Sequence, residues 1–218
     1  MVCSALLIAF LSYSPPGPVD VREEGHRIAI TSKVMSVAFD RSRSGQLVEV
    51  AVRDWAGQHR VAAAPIGDIS VTAGGKEYRL AAARLAEWSL QDVGQGEYRL
   101  SVAPLPLVSS DGGALPITVK QEFTVFAEGA IFCDITMSAD GTAPITRCSL
   151  EFDALTAEFS PLRLYVKPSG LAGHETEYLT PDQSGKTDQP VTHAGFMFGH
   201  SKGYCAGVEF VLEDQRRI

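Results

Sequence analysis

The stretch ITVKQEFTVFAEGAIFCDITMSADGTAPITRCSLEFDA, residues 117–154, decides the class of fold. It holds three runs in which apolar and polar residues alternate, separated by Glu128-Gly129 and Asp140-Gly141. The apolar positions are Ile117, Val119, Phe123 and Val125, then Ile131, Cys133, Ile135 and Met137, then Cys148, Leu150 and Phe152. A period of two is typical of a strand with one face in a core and the other in water. The stretch therefore predicts a β-meander of three antiparallel strands.

The first turn sets the register of this meander, because a shift of one residue would move every apolar side chain to the opposite face. A three-residue loop at 127–129, with Gly129 in the left-handed conformation of a bulge, places Phe123 opposite Cys133. A two-residue loop would place Phe123 opposite Asp134 instead. We predict the three-residue loop.

Cys133 and Cys148 fall on neighbouring strands of the predicted meander, and we expect both to face the core. Pro144 has no N–H for the ladder, so it favours a looser second connection than a tight hairpin. Two interpretations of the cysteine pair remain open. They form a disulfide if the protein is exported, or they are two buried thiols that pack as small apolar groups.

Further strand patterns lie on both sides of the meander, and together they predict an all-β fold, an antiparallel β-sandwich with little helix. These runs are Ile28 to Phe39 with a turn at Ser32-Lys33, Val48 to Val52, Ile69 to Leu80 with a turn at Gly74-Gly75, Ala81 to Leu90, Tyr98 to Val102, Leu162 to Val166, and Val208 to Leu212. We expect Trp88 in the core and Pro104 and Pro106 in a loop. Residues 168–203 have no sustained period and predict one long irregular loop.

Composition limits the class of protein and its partners. A chain of 218 residues with 45% hydrophobic residues suits one large domain. The formal charge of -7 and the absence of a basic cluster argue against a nucleic-acid partner. The sequence contains no apolar stretch long enough for a transmembrane helix, so we expect no membrane span.

The first residues predict an export signal. Ala5 to Leu11 is apolar and Ser12-Tyr13-Ser14 follows it, so residues 1–14 resemble a signal peptide, although no Lys or Arg precedes the apolar run. The alternative is a buried first strand or helix. We expect residues 15–26 to be a linker, residues 27–218 to be the β-sandwich domain, and the protein to be secreted or periplasmic.

Three histidines of the predicted loop, His174, His193 and His200, lie near carboxylates and raise the hypothesis of a metal site. A helical pair of metal ligands has two histidines four residues apart, whereas His193 and His200 are seven residues apart. We therefore favour solvated loop histidines and expect no metal. Ser201 lies in a G-x-S-x-G pattern, but no α/β alternation surrounds it. We predict no catalytic residue and no cofactor.

The segment Phe198-Gly199-His200-Ser201-Lys202-Gly203-Tyr204, which leads into Val208-Glu209-Phe210, follows many short strands. This succession resembles the N-terminal β-sandwich of large secreted bacterial glycoside hydrolases, which is similar to the galactose mutarotase-like super-sandwich. The resemblance implies a non-catalytic, carbohydrate-associated module. Its partners would be a polysaccharide or oligosaccharide and a C-terminal catalytic domain that this chain does not contain. The resemblance also implies that the sandwich is incomplete at the C-terminus, with Val208 to Leu212 as an exposed edge strand.

If the resemblance holds, the ligand would be contacted through the turn near residue 55 and the segment 171–204, whose aromatic rings can stack on sugars. The residues predicted to contact the ligand are Trp55, His174, Tyr178, His193, Phe198, His200 and Tyr204. Two alternatives remain. An aldose-epimerase-like enzyme shares the sandwich and uses a His acid with a Glu base, for which His193 or His200 with Glu209 are candidates. The other alternative is a structural or interaction sandwich without a sugar ligand.

Overall fold

The computed structural model describes residues 2–4, 6–9, 18–54, 57–62, 66–80, 85–142, 144–152, 159–168, 177–179, 191–200 and 205–211. Side chains are described for residues 18–53, 58, 68–80, 85–142 and 144–149. The strands, in chain order, are β1 (Val2–Ser4), β2 (Leu6–Ala9), β3 (Asp20–Glu24), β4 (Arg27–Thr31), β5 (Met35–Asp40), β6 (Gln46–Asp54), β7 (Gly57–Ala62), β8 (Ile66–Ala73), β9 (Lys76–Arg79), β10 (Trp88–Gly94), β11 (Glu97–Ser109), β12 (Ala114–Phe126), β13 (Ala130–Ala139), β14 (Ile145–Phe152), β15 (Phe159–Pro168), β16 (Glu177–Leu179), β17 (Val191–His200) and β18 (Cys205–Val211). A single 3₁₀ turn, Arg41–Arg43, separates β5 from β6 within the described part of the chain.

The fold is all-β and antiparallel, as the alternating sequence pattern predicts. Strands β3 to β7 pair in chain order and form one layer. A second layer runs through β10, β11, β12 and β13, continues through β2 and β18, and reaches β17, β15 and β16. Strand β8 pairs with β6, β9 and β14, and β9 pairs with β11. The β8–β9 hairpin thus joins the two layers.

The core lies between β4–β6 of the first layer and β11–β13 of the second. The Phe39 and Phe123 rings meet across it with centroids 4.8 Å apart, and both side chains are buried. Other large apolar side chains that are fully buried include Ile28, Met35, Leu47, Leu80, Leu100, Leu107 and Ile131. Burying a side chain of this size contributes roughly 1.5–3 kcal/mol to folding. The apolar positions of the first meander run therefore face this core.

The predicted register of the first meander turn is confirmed. Phe123 pairs with Cys133, and Phe126 pairs with Ala130 across a three-residue loop. Gly129 has a φ of 104°, and its N–H donates to the Phe126 carbonyl over 3.0 Å. The hairpin at Gly74-Gly75 is also confirmed, because Ala73 pairs with Lys76 on either side of it.

The third strand of the predicted meander is placed differently. Strand β14 pairs with β8, and Cys148 lies opposite Val71 rather than near Cys133. Cys148 is exposed although its partner Val71 is fully buried. The prediction that Cys148 faces the core is therefore wrong, and the structure has no disulfide between Cys133 and Cys148. Cys133 itself is buried, as predicted.

Two predictions between residues 81 and 106 also need correction. In the strand predicted from Ala81 to Leu90, residues 81–84 lie outside the described residues, residues 85–87 have no regular structure, and β10 begins at Trp88. Trp88 is partly buried and packs against the core, with the Arg41 guanidinium 4.5 Å from its ring centroid. The predicted loop at Pro104 and Pro106 is part of β11. Both prolines are exposed, and the register shifts around them, which is how a strand accommodates residues without an N–H.

Strands also occur at both ends of the chain. Residues 20–24 of the predicted linker form β3, and residues 2–4 and 6–9 of the predicted signal peptide form β1 and β2. The predicted loop at 168–203 contains β16 and the ten-residue β17. The prediction of an exposed edge at Val208 to Leu212 is wrong, because β18 pairs with β17 on one side and with β2 on the other.

Candidate functional site: a polar cleft and an outer sheet face

A polar cleft of about 310 Å³ opens where the β8–β9 hairpin meets the turn between β11 and β12. The two hairpins are held together by pairing of Tyr78 with Ser109 and of Arg79 with Val108. The residues that line the cleft are Lys76, Glu77, Arg79, Val108, Ser109, Ser110 and Asp111. We call this site the β9–β11 cleft.

Local turn chemistry explains both walls of the cleft. Gly74 and Gly75 have φ values of 57° and 78°, and two successive positive φ values are what a two-residue hairpin turn requires. On the other wall, the Ser109 N–H donates to the Gly113 carbonyl over 2.8 Å. The Ser109 hydroxyl donates to the Asp111 carboxylate over 2.5 Å. These bonds orient the Asp111 side chain toward the opposite hairpin.

Lys76 and Asp111 bridge the mouth of the cleft. The Lys76 Nζ lies 2.5 Å from Asp111 Oδ2. The hydrogen bond from Lys76, with a second from Ser109, holds the pKa of Asp111 well below its usual range. The hydrogen bond to Asp111 raises the pKa of Lys76. Both groups are therefore charged near neutral pH, and Asp111 has no proton to donate there.

Arg79 is the second cation of the cleft and connects it to the buried interior. Its Nη2 lies 3.2 Å from Glu77 Oε1, and its Nη1 lies 3.3 Å from Asp68 Oδ2. Asp68 is buried and also accepts a hydrogen bond from Gln46 Nε2 over 3.2 Å. Gln46 is fully buried at the start of β6. This chain of contacts links the guanidinium to the buried side chains of Asp68 and Gln46.

The charges of the cleft are balanced. Lys76 and Arg79 are its cations, Glu77 and Asp111 are its carboxylates, and each cation has a carboxylate oxygen within 3.3 Å. The described lining residues include no histidine. The cleft can therefore exchange hydrogen bonds with a ligand, and its carboxylate Asp111 is held in the charged form.

The described residues that line the cleft include none of the residues predicted from sequence to contact a ligand. Trp55, His174 and Tyr204 are outside the described residues. His193, Phe198 and His200 lie on β17, and Tyr178 lies on β16. The structure describes these four positions through their backbone.

Strand register divides the four positions between two faces of the sheet, since directly paired residues share a face and successive residues alternate. Phe196 pairs with Val208, Val208 with Ile8, and Ile8 with the buried Ile131, so that face continues the core. Phe198 and His200 lie two and four residues after Phe196 on the same strand, so they take positions on the same face. Phe198 and His200 therefore take inner positions of β17.

Tyr178 and His193 take positions on the opposite, outer face. Tyr178 pairs with Tyr165, Tyr165 with Gly195, and Gly195 with Glu209, which gives one row across β16, β15, β17 and β18. His193 is two residues before Gly195 and therefore shares its face. We call Tyr165, Tyr178, His193, Gly195 and Glu209 the outer β15–β18 face.

Sequence reasoning does not find the cleft, and of the outer β15–β18 face it finds Tyr178, His193 and Glu209. The Gly74-Gly75 and Asp111–Gly113 turns are each visible in the sequence, but nothing in it shows that β9 pairs with β11. Tyr165 and Gly195 are absent from the residues predicted to contact a ligand. The signal for Tyr165 is the alternation in β15, where Arg163, Tyr165 and Lys167 take every second position. β17 has no such alternation, so the sequence gives no signal for Gly195.

Comparisons of the chain with protein-family models, with curated proteins and with solved structures found no match. Within the described residues, no helix is long and apolar enough to cross a membrane. The same residues contain no group of three or more His, Cys, Asp or Glu side chains that could hold a metal ion.

Proposed function

We propose that this chain is a non-catalytic, carbohydrate-associated β-sandwich module that supports the catalytic domain of a glycoside hydrolase. The sequence resemblance and the all-β antiparallel architecture support this proposal. Its partners are then a polysaccharide or oligosaccharide and a catalytic domain outside this chain, and its compartment is secreted or periplasmic. The observation that carries the proposal is the outer β15–β18 face.

This face combines the residue types that a sugar needs. Tyr165 and Tyr178 are paired neighbours on adjacent strands, and aromatic rings provide flat apolar surface with a polar hydroxyl. Glu209 and His193 add hydrogen-bonding groups, and Gly195 separates Tyr165 from Glu209 without a side chain of its own. Each hydrogen bond to a sugar hydroxyl replaces one to water and gains only about 1 kcal/mol. We therefore expect dissociation constants in the millimolar to micromolar range.

Hydrolysis by this chain is not part of the proposal. A glycoside hydrolase needs one carboxyl group with a raised pKa to act as general acid. In the β9–β11 cleft the pKa of Asp111 is lowered by its hydrogen bonds, and Glu77 is paired with Arg79. The cleft therefore favours binding over acid catalysis.

The test is a screen of neutral and charged oligosaccharides by calorimetry, with hydrolysis measured on the same ligands. Tyr165→Ala and Tyr178→Ala should each weaken binding about tenfold, because each removes a stacking surface. Tyr98→Ala on β11 is the matched control, with the same substitution away from the face, and it should leave binding unchanged. Turnover of any glycoside, or binding to no glycan at all, would contradict the proposal.

An aldose-epimerase-like activity is the second candidate, and one observation favours it. Glu209 pairs with Gly195, two residues from His193, so the candidate base and acid are diagonal neighbours on one face. His200 lies on the other face and does not fit this role. Epimerisation of free sugar by the purified chain, lost in both His193→Gln and Glu209→Gln, would establish the enzyme and replace the binding module.

A further inference from the structure

The β9–β11 cleft is separate in sequence and in strand from the outer β15–β18 face. Its lining side chains come from β9, from the end of β11 and from the turn that follows β11. We propose that this cleft is a second binding site, specific for an uncharged sugar residue. The identity of the ligand as a sugar rests on the proposed function, while the preference for an uncharged group rests on the cleft alone.

The balance of charges disfavours ionic ligands, because two cations and two carboxylates leave the cleft without net charge. An anionic group, such as a uronate or a phosphate, that replaces Asp111 at Lys76 or Glu77 at Arg79 breaks one charge-assisted contact for the one that it makes. An anion that instead used a spare N–H of Lys76 would lie next to the Asp111 carboxylate, which repels it. A cation meets the same exchange and repulsion with the signs reversed. The ion pairs span 2.5 to 3.3 Å, and Arg79 is additionally held by the buried Asp68.

A hydroxyl group avoids this exchange because it both donates and accepts hydrogen bonds. Lys76 has three N–H donors, and its bond to Asp111 uses one of them. A carboxylate offers about four acceptor positions, so Glu77 can accept from a hydroxyl while it remains bound to Arg79. Ser110 is exposed at the rim and adds a hydroxyl. Sugar hydroxyls can thus bind while every ion pair stays intact.

The experiment compares ligands that differ only in charge. The methyl glycosides of glucose, galactose and mannose, and the corresponding methyl uronates, are titrated into the whole chain and followed by amide chemical shifts in NMR spectra. At least one neutral glycoside should shift the amides of residues 76–79 and 108–111. Its uronate should bind at least about tenfold more weakly at the same residues. Added salt should leave the neutral constant unchanged, since no net charge is neutralised.

Two substitutions locate the binding. Lys76→Met should weaken neutral binding at the cleft about tenfold, the loss expected for a hydrogen bond from a charged group. Lys120→Met is the matched control, since Lys120 also pairs with a carboxylate, Glu122, over 3.0 Å but lies on β12 outside the cleft. Ser110→Ala, at an exposed position, gives a second variant that should weaken binding without affecting the fold.

Each result decides between the two sites. Uronate binding as tight as neutral binding would overturn the proposal. Neutral binding that shifts only β15 to β18, and is lost in Tyr165→Ala, would also overturn it while leaving the proposed function intact. Cleft shifts that survive Tyr165→Ala and disappear in Lys76→Met would establish the second site. If no sugar binds anywhere, both the second site and the proposed function are wrong.

Discussion

Gly45 lies where the 3₁₀ turn after β5 comes closest to β11, and replacing it with alanine tests how tightly the two layers pack. Its φ is 70°, in the left-handed region. A Cβ added there would lie 2.8 and 2.9 Å from the two methyl carbons of Val102, and 3.4 Å from Ala86 Cβ. Carbon atoms in contact prefer about 3.5–4.0 Å. The new methyl group therefore overlaps a buried side chain of β11.

Two costs add at Gly45→Ala. The left-handed conformation costs an L-residue roughly 1–2 kcal/mol, reduced in part by the lower backbone entropy of alanine in the unfolded chain. The overlap with Val102 adds the cost of overpacking, roughly 1–3 kcal/mol. We expect a decrease of about 2–4 kcal/mol in the free energy of unfolding, which is a large part of the total for a marginally stable domain.

Gly74→Ala is the matched control, because Gly74 has a φ of 57° and a methyl group added there would meet no atom within 4 Å. It should lose only the conformational cost, about 1 kcal/mol. Urea unfolding of both variants measures the difference. In the double variant with Val102→Ala the overlap disappears, so the two substitutions should couple favourably by about 1–3 kcal/mol. Equal losses for Gly45→Ala and Gly74→Ala, with no coupling to Val102→Ala, would refute the packing of the turn on β11.

The core, the cleft and the cysteines each give a further prediction. Phe123→Ala should lower the free energy of unfolding by about 3–5 kcal/mol, because it opens a cavity beside Phe39. Urea unfolding measures this change, and a loss below about 1 kcal/mol would contradict the packing of the two layers. The pKa of Asp111 is lowered in the folded state, so its stabilisation is present above the unfolded pKa of about 4 and is lost as the pH falls toward the lowered value. Asp111→Asn should therefore be less stable than the native chain at pH 7, and urea unfolding should show the difference shrinking below about pH 4; a constant difference would exclude the ion pair with Lys76 as its cause. Peptide mapping after maleimide labelling of the folded chain should find Cys148 modified and Cys133 protected. Labelling of Cys148 should be slow, because desolvation raises the pKa of its thiol and so lowers the thiolate fraction. Equal labelling of the two cysteines would show that β14 or β13 is misplaced.

The hairpins that can be predicted from sequence share a local cause. The turn at Gly74-Gly75 and the loop at 127–129 each need glycine at positive φ, and the strands beside them alternate with a period of two. Turn chemistry and alternation act over a few residues, so both can be recognised in a single sequence. The register of Phe123 against Cys133 follows from these two rules alone.

Several of the predictions that fail concern pairing between distant strands. Consecutive strands are usually neighbours, which predicts β14 beside β13, yet β14 pairs with β8. The sequence predicts that β18 is an unpaired edge strand. In the structure β18 pairs with β2, which lies near the other end of the chain. The β9–β11 cleft depends on the same kind of contact. No property of β9 or β11 by itself specifies which strand it will meet.

The predicted ligand-contacting residues show how one missing strand changes a functional hypothesis. If segment 191–200 is irregular, His193, Phe198 and His200 can all belong to one surface. Because β17 is a continuous strand, alternation assigns Phe198 and His200 to the inner face and His193 to the outer face. The same rule brings Tyr165 and Glu209 to the side of His193, although they are far apart in sequence. A mutational test of glycan binding should therefore target His193 with Tyr165, and substitutions at Phe198 should affect stability instead.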